Sequence, residues 1–280
     1  MRVLYLVDLY IDPVAVDAAT SFGGNGRIYL MGALAHALTF PPKSILVHYI
    51  PQKPINNYHF SRFRLQFFRK SLAWDADAYF SLDADLICTS QFHQTVLENF
   101  QRYPCFGGVW EPRTEHHKKW LSLLQEVSRF VGKPSTPFKI CGGVFGAIKP
   151  IWDDVTRQAL SWFVNYYLKY PELRKEPKWG GAPTEEHFMT VAFAPYYFEG
   201  RLKAYSIGGV EDRGRGGKSI WGLEFFPDPT FRACSAHNQS RALLTKHLKE
   251  TLAEYANLKA RDALEIIRER QILLFGSQDK

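Results

Sequence analysis

Asp83 and Asp85 stand one residue apart at the end of the apolar run Ala78-Tyr79-Phe80-Ser81-Leu82. Side chains at i and i+2 of a strand share one face, so the two carboxylates converge if the chain stays extended there. Two close carboxylates repel and favour protonation of one. A divalent cation relieves that repulsion, and hard oxygen ligands suit Mn²⁺ or Mg²⁺. Such a cation can neutralise a diphosphate, so the pair is a candidate for binding a nucleotide-sugar. The competing reading is a pair of loop or surface acids. The flanks Tyr79-Phe80-Ser81-Leu82 and Leu86-Ile87-Cys88 read as buried strand, and burying two unneutralised acids is costly.

Other residues have the right types for chemistry. Gly142-Gly143 interrupts the apolar strand Ile140 to Ile148. Glycine weakens a strand and marks the close approach of a ligand, a bulge or a tight core contact. Glu185 and Glu186 follow Thr184, a plausible N-cap, and carboxylates at a helix N-terminus complement its dipole. Lys218 sits in the glycine-rich basic stretch Gly208 to Gly222 with Arg213 and Arg215. It is either a mobile surface cation or one that closes over a diphosphate.

The elements that must position these residues alternate. Val3 to Val7 reads as a first strand ending at Asp8-Leu9-Tyr10, and Ile28, Met31, Leu34, Ala35 and Leu38 share one helical face. Pro41-Pro42 stops that helix. Ser44 to Ile50 is a second strand, Phe60 to Ala73 a basic helix, and the run carrying Asp83 a third strand. Strand, helix, strand, helix, strand argues for a parallel α/β sheet, which binds ligands outside its strands' carboxyl ends. Cys105 to Trp110 is a further strand and Ile151 to Tyr170 an aromatic-rich helix. Residues 239 to 275 contain neither Pro nor Gly, so a helical C-terminal region is expected.

Composition narrows the class. At 280 residues and 46% hydrophobic, the chain can bury a large core. Its formal charge of +7 favours anionic ligands. Cys88, Cys105, Cys141 and Cys234 form neither a zinc knuckle nor a disulfide framework. Cys88 and Cys141 are expected to be small buried residues in a reducing compartment. No Walker pattern or dinucleotide fingerprint occurs, which argues against an ATPase or dehydrogenase. The N-terminus runs into a strand pattern rather than a signal peptide, and no apolar run reaches the roughly 20 residues of a transmembrane helix. A cytoplasmic protein without integral membrane association is the expectation.

Taken in order, VLYLVDLY, SRFRLQFFRK, SLDADLICT, FKICGGVFGAIKP, APTEEHFMTVAF and CSAHNQ resemble a metal-dependent glycosyltransferase of the GT-A fold, over residues 1–240. FKICGGVFGAI followed by TEEHFM is similar to the ABO blood-group galactosyltransferase group. The late His237 is similar to the metal-binding histidine of the glycogenin and lipopolysaccharide galactosyltransferase group. The resemblance implies an α/β, Rossmann-like, mixed and mainly parallel sheet flanked by helices. Residues 1–240 would form the transferase domain and 241–280 a helical extension packed on it.

It also implies roles. Asp83, Asp85 and His237 would hold Mn²⁺ or Mg²⁺. Asp8 would accept from a base N–H and Tyr10 would stack on the base. Arg62 and Arg64 would lie near the donor, and Gly142 and Gly143 would allow the sugar to approach. Glu185 matches the glutamate facing the anomeric carbon, Glu186 is the next choice, and His187 would contact sugar or acceptor. Such an acid is a general base in an inverting enzyme. In a retaining enzyme, the favoured outcome, it stabilises positive charge or acts as a nucleophile. Trp110, Trp179 and Trp221 are candidate acceptor platforms, since aromatic faces stack on sugar rings.

The expected activity is transfer of a hexose or pentose from a nucleoside-diphosphate sugar, UDP-linked by preference, to a hydroxyl. Glycan, lipid-linked, protein and nucleic-acid acceptors stay open. The rivals are a transferase acting on hydroxylated DNA bases, a non-catalytic nucleotide-sugar or glycan-binding protein, and a sugar nucleotidyltransferase.

Overall fold

The computed structural model describes residues 1–18, 25–50, 75–84, 86, 88, 91–111, 115–175, 182–209, 220–223, 232–233, 246 and 248–275. The chain is α/β, with a mixed, mainly parallel sheet flanked by helices in a Rossmann-like arrangement. It divides into two compact units. One comprises Met1–Val3, Pro54–Ser81 and Leu97–Ser206, the other Leu4–Lys53, Leu82–Val96 and Ile207–Lys280.

The unit containing the first strand is built on β1 (Val3–Tyr10), β2 (Ile45–Ile50) and β9 (Ile272–Phe275). β1 pairs with β2, and β2 with β9, both in parallel. Helices α1 (Pro13–Ala18), α2 (Asn25–Thr39) and α7 (Ala260–Arg270) accompany them. β1 and β2 are apolar runs of Val, Leu, Ile and Tyr, the composition of strands covered on both faces. Tyr5 packs edge-on against Phe40, with ring centroids 4.5 Å apart.

The C-terminal residues join this unit through polar caps. The buried Arg27 guanidinium donates to the carbonyls of Leu258 and Ala256, each at 2.8 Å. The Asp17 carboxylate accepts from the Ala260 N–H and so caps α7. The expected helical C-terminal region contains α7 but ends in a strand, Ile272–Phe275. Four residues are too few for local propensity to decide, and the open edge of β2 supplies the partner.

The other unit carries β3 (Ala78–Leu82), β4 (Cys105–Trp110), β5 (Lys139–Ile148) and β6 (Leu202–Gly209), in the order β6-β4-β5-β3. β4 runs parallel to β6 and antiparallel to β5. Its helices are α4 (Glu115–Val131), α5 (Lys149–Lys169) and α6 (Glu185–Phe198). α6 packs on α4, α5 and β5. An aromatic cluster of Phe163, Tyr166 and Phe188 fills the seam between α5 and α6. α3 (Phe92–Arg102) follows β3, and β7 (Ile220–Leu223) and β8 (Arg232–Ala233) are short antiparallel strands after β6.

Cys105 and Cys141 are buried thiols, and burial pushes the Cys105 thiol up to about 12. Cys88 is only half-buried. No helix among the described residues is long and apolar enough to cross a membrane.

Candidate functional site

The antiparallel pairing of β4 with β5 breaks in the middle. Gly107 lies opposite Phe145 and Val109 opposite Ile140, so two steps on β4 face five on β5. Gly142 and Gly143 fall in this irregular stretch, and extra residues of this kind bend a strand and re-aim its groups. A side chain of α6 takes up what the ladder leaves. The Gly142 N–H donates to Glu186 Oε1 at 2.8 Å. One turn further along α6, the Thr190 hydroxyl oxygen accepts from the Ile140 N–H at 3.0 Å. A Cβ on Gly142 would lie 3.3 Å from Glu186 Cγ and Oε1. The close approach at this glycine is therefore made by Glu186.

The second oxygen of Glu186 is ion-paired with Lys139 Nζ. Only 4% of the Lys139 side chain is exposed, against 13% of Glu186. The ammonium also lies 4.6 Å from the centre of the Trp120 ring, a cation–π contact. Trp110 meets Trp120 edge to face at 5.7 Å and is the β4 partner of Lys139 across the strand pair. Both tryptophans are half-buried. Trp110, Gly142 and Glu186 are thus brought together, and Lys139 and Trp120 join them.

Glu185 is 2% exposed. It raises the pKa of the Tyr167 hydroxyl, second to burial. That hydroxyl donates to the Pro183 carbonyl at 2.6 Å. Thr184 caps α6 as its sequence position predicts, in an unusual reciprocal form. Its backbone N–H donates to His187 Nδ1 at 2.9 Å, and its hydroxyl lies 3.0 Å from the same nitrogen. An Nδ1 that accepts leaves the proton of the neutral ring on Nε2. The His187 ring is buried as part of the helix cap.

In the unit containing β1, Asp8 and His48 are register partners on β1 and β2. Their side chains are 3.4 Å apart, and both are almost buried. Tyr10 ends β1. β3 ends at Leu82, and the Leu86 N–H donates to the Asp83 carbonyl at 3.3 Å, the spacing of a turn. Asp83 thus lies one residue past the end of β3. The backbone at Asp83 is held by His36, whose Nε2 donates to its carbonyl at 3.1 Å. Burial lowers the His36 pKa to about 4, so the ring is neutral, while the contact with Asp83 opposes that shift.

Asp85, Arg62, Arg64, Trp179, Lys218 and His237 lie outside the described residues. So do residues 60–73, expected as a basic helix, and most of the stretch 208–222. Trp221 is described only as backbone, in β7 opposite Gly209 and Arg232. Among the described residues no group of three His, Cys, Asp or Glu is arranged to hold a metal ion. Asp83 is the one member of the expected ligand set within them.

Sequence reasoning missed Lys139, Trp120, His36 and His48. A lysine beginning an apolar strand reads as a solvent boundary. Only its pairing with a residue 47 positions away shows otherwise.

No family model matches the chain, and no curated protein does. Solved structures of some similarity include a putative glucose-1-phosphate thymidylyltransferase from Bacillus anthracis. It is 8% identical, with 87% of this chain and 95% of that chain covered, at a TM-score of 0.31. The bifunctional IspDF of Campylobacter jejuni is 10% identical, with 96% and 80% covered, at a TM-score of 0.32. Likeness at that level carries no argument about function.

Proposed function

We propose that this chain is a metal-dependent glycosyltransferase that moves a sugar from a nucleoside-diphosphate donor, preferably UDP-linked, to a hydroxyl acceptor. The observation that carries the reading is Glu186. It is a partly exposed carboxylate docked on a glycine-bearing strand and paired with Lys139, whose ammonium lies on the half-buried Trp120, itself edge to face with Trp110. Carboxylates accept hydrogen bonds from sugar hydroxyls and stabilise positive charge at an anomeric carbon, and tryptophan faces stack on sugar rings. The exposures favour Glu186 over Glu185 as the carboxylate that meets the sugar.

In this reading Asp83, Asp85 and His237 hold Mn²⁺ or Mg²⁺. Two carboxylates and one imidazole are a donor set suited to Mn²⁺. When bound, the ion neutralises the diphosphate leaving group. His36 fixes the backbone from which Asp83 projects. Asp8, with His48 beside it, serves the base. Residues 1–240 act as the transferase domain and 241–280 as its extension, in a cytoplasmic protein.

The test is release of nucleoside diphosphate from UDP-, GDP- and ADP-sugars, with Mn²⁺ and with EDTA, using Asp85→Ala as control. Turnover that requires both metal and Asp85 supports the proposal and names the donor. Donor binding without turnover under every acceptor offered points to a binding protein. Pyrophosphate release from a nucleoside triphosphate and a sugar phosphate would replace the transferase with a nucleotidyltransferase. Acceptor activity on hydroxylated DNA would show a steep loss with salt.

A further inference from the structure

We infer that Lys139 is the positioning residue of this site. Backed by Trp120, it fixes the carboxylate of Glu186 in the single orientation in which it meets the sugar. The inference rests on the glycosyltransferase reading and names how its carboxylate is held.

Three contacts converge on this function. The Gly142 N–H takes one oxygen of Glu186 and the Lys139 ammonium takes the other. A carboxylate bound at both oxygens cannot rotate about its last bond, yet it keeps lone pairs for further donors. Lys139 is itself held, since its ammonium lies against the face of Trp120. A lysine has long rotatable arms, and an aromatic face behind it limits where the charge can sit. The order of exposure completes the case. Of the pair, Glu186 is the more exposed and Lys139 the more deeply buried. The lysine therefore works from behind the carboxylate and acts through it.

Glu186 so held presents its remaining lone pairs to sugar hydroxyls in one fixed orientation.

The test is a double-mutant cycle on nucleoside-diphosphate release, using the donor found above, with thermal melting of each variant. Lys139→Met should lower kcat by about 10²-fold, the scale of a misplaced group, with donor KM changed by less than about threefold. In the Glu186→Gln background the same substitution should cost less than about threefold, because residues acting through one another are not additive. Lys139→Arg should recover kcat to within about tenfold of wild type. If Lys139→Met does not fold, Lys139→Arg against wild type and the double variant against Glu186→Gln decide the matter.

A wild-type kcat in Lys139→Met, or an equal loss in both backgrounds, would overturn the inference while leaving the transferase reading intact. Absence of turnover by the wild-type protein on every donor would overturn that reading, and the inference with it.

Discussion

His36 donates its Nε2–H to the backbone carbonyl of Asp83, 47 residues away, from a buried ring on α2. A helix side chain thus fixes the point where β3 gives way to a turn. Its burial makes the link sensitive to acid. The folded pKa is lowered to about 4, whereas the unfolded ring titrates near about 6.5. The unfolded state therefore binds the proton first. The stability contribution is whole above about pH 6.5 and is lost as pH falls toward 4, by about 2 kcal/mol between pH 7 and 5. Urea unfolding at the two pH values should show this slope in the wild type. In His36→Gln, which keeps an N–H donor but does not titrate, it should be flatter by that amount.

Two glycines of β5 should respond differently to alanine. A Cβ on Gly146 would lie 2.5 Å from a Phe80 ring carbon and 2.6 Å from the Tyr79 carbonyl oxygen, a strand backbone atom that cannot move aside. Gly146→Ala should cost about 1–3 kcal/mol or more in denaturant unfolding. The three atoms nearest a Cβ on Gly142 all belong to the Glu186 side chain, none closer than 3.3 Å. Gly142→Ala should cost less than about 1 kcal/mol while lowering nucleotide-sugar turnover, because it displaces the carboxylate.

The cap of α6 is a third target. Thr184→Ala removes the hydroxyl beside His187 Nδ1 and should destabilise the protein by about 1 kcal/mol. Thr184→Ser should restore most of that. The shift in urea midpoint at constant m-value is the measurement.

Asp8 and His48 face each other across β1 and β2. If Asp8 serves the donor base, Asp8→Asn should weaken UDP-sugar binding by about tenfold, the scale of one hydrogen bond to a charged group. Calorimetric titration would show it, and an unchanged affinity would remove Asp8 from the donor site.

Local pattern made much of the frame legible. β1, β2 and β4 follow their apolar runs, and Thr184 announces α6. Other features depend on partners far apart in the chain. Gly142-Gly143 suggested a close approach, and the irregular pairing with β4 and the Glu186 contact give it a physical cause. Nothing near Lys139 in sequence reveals its carboxylate, and nothing near His48 reveals Asp8. The strand at Ile272–Phe275 looked helical because its partner, β2, lies more than 200 residues earlier.

That last strand also protects the molecule from itself. β2 has β1 on one side and β9 on the other, so its backbone N–H and C=O groups are occupied on both flanks. Without Ile272–Phe275 the flank of β2 would be a bare, strongly apolar template on which another chain could assemble. Ile272–Phe275 thus act as a guard against aggregation, and cleavage just before Gln271 should raise self-association over that of the intact protein, read by light scattering.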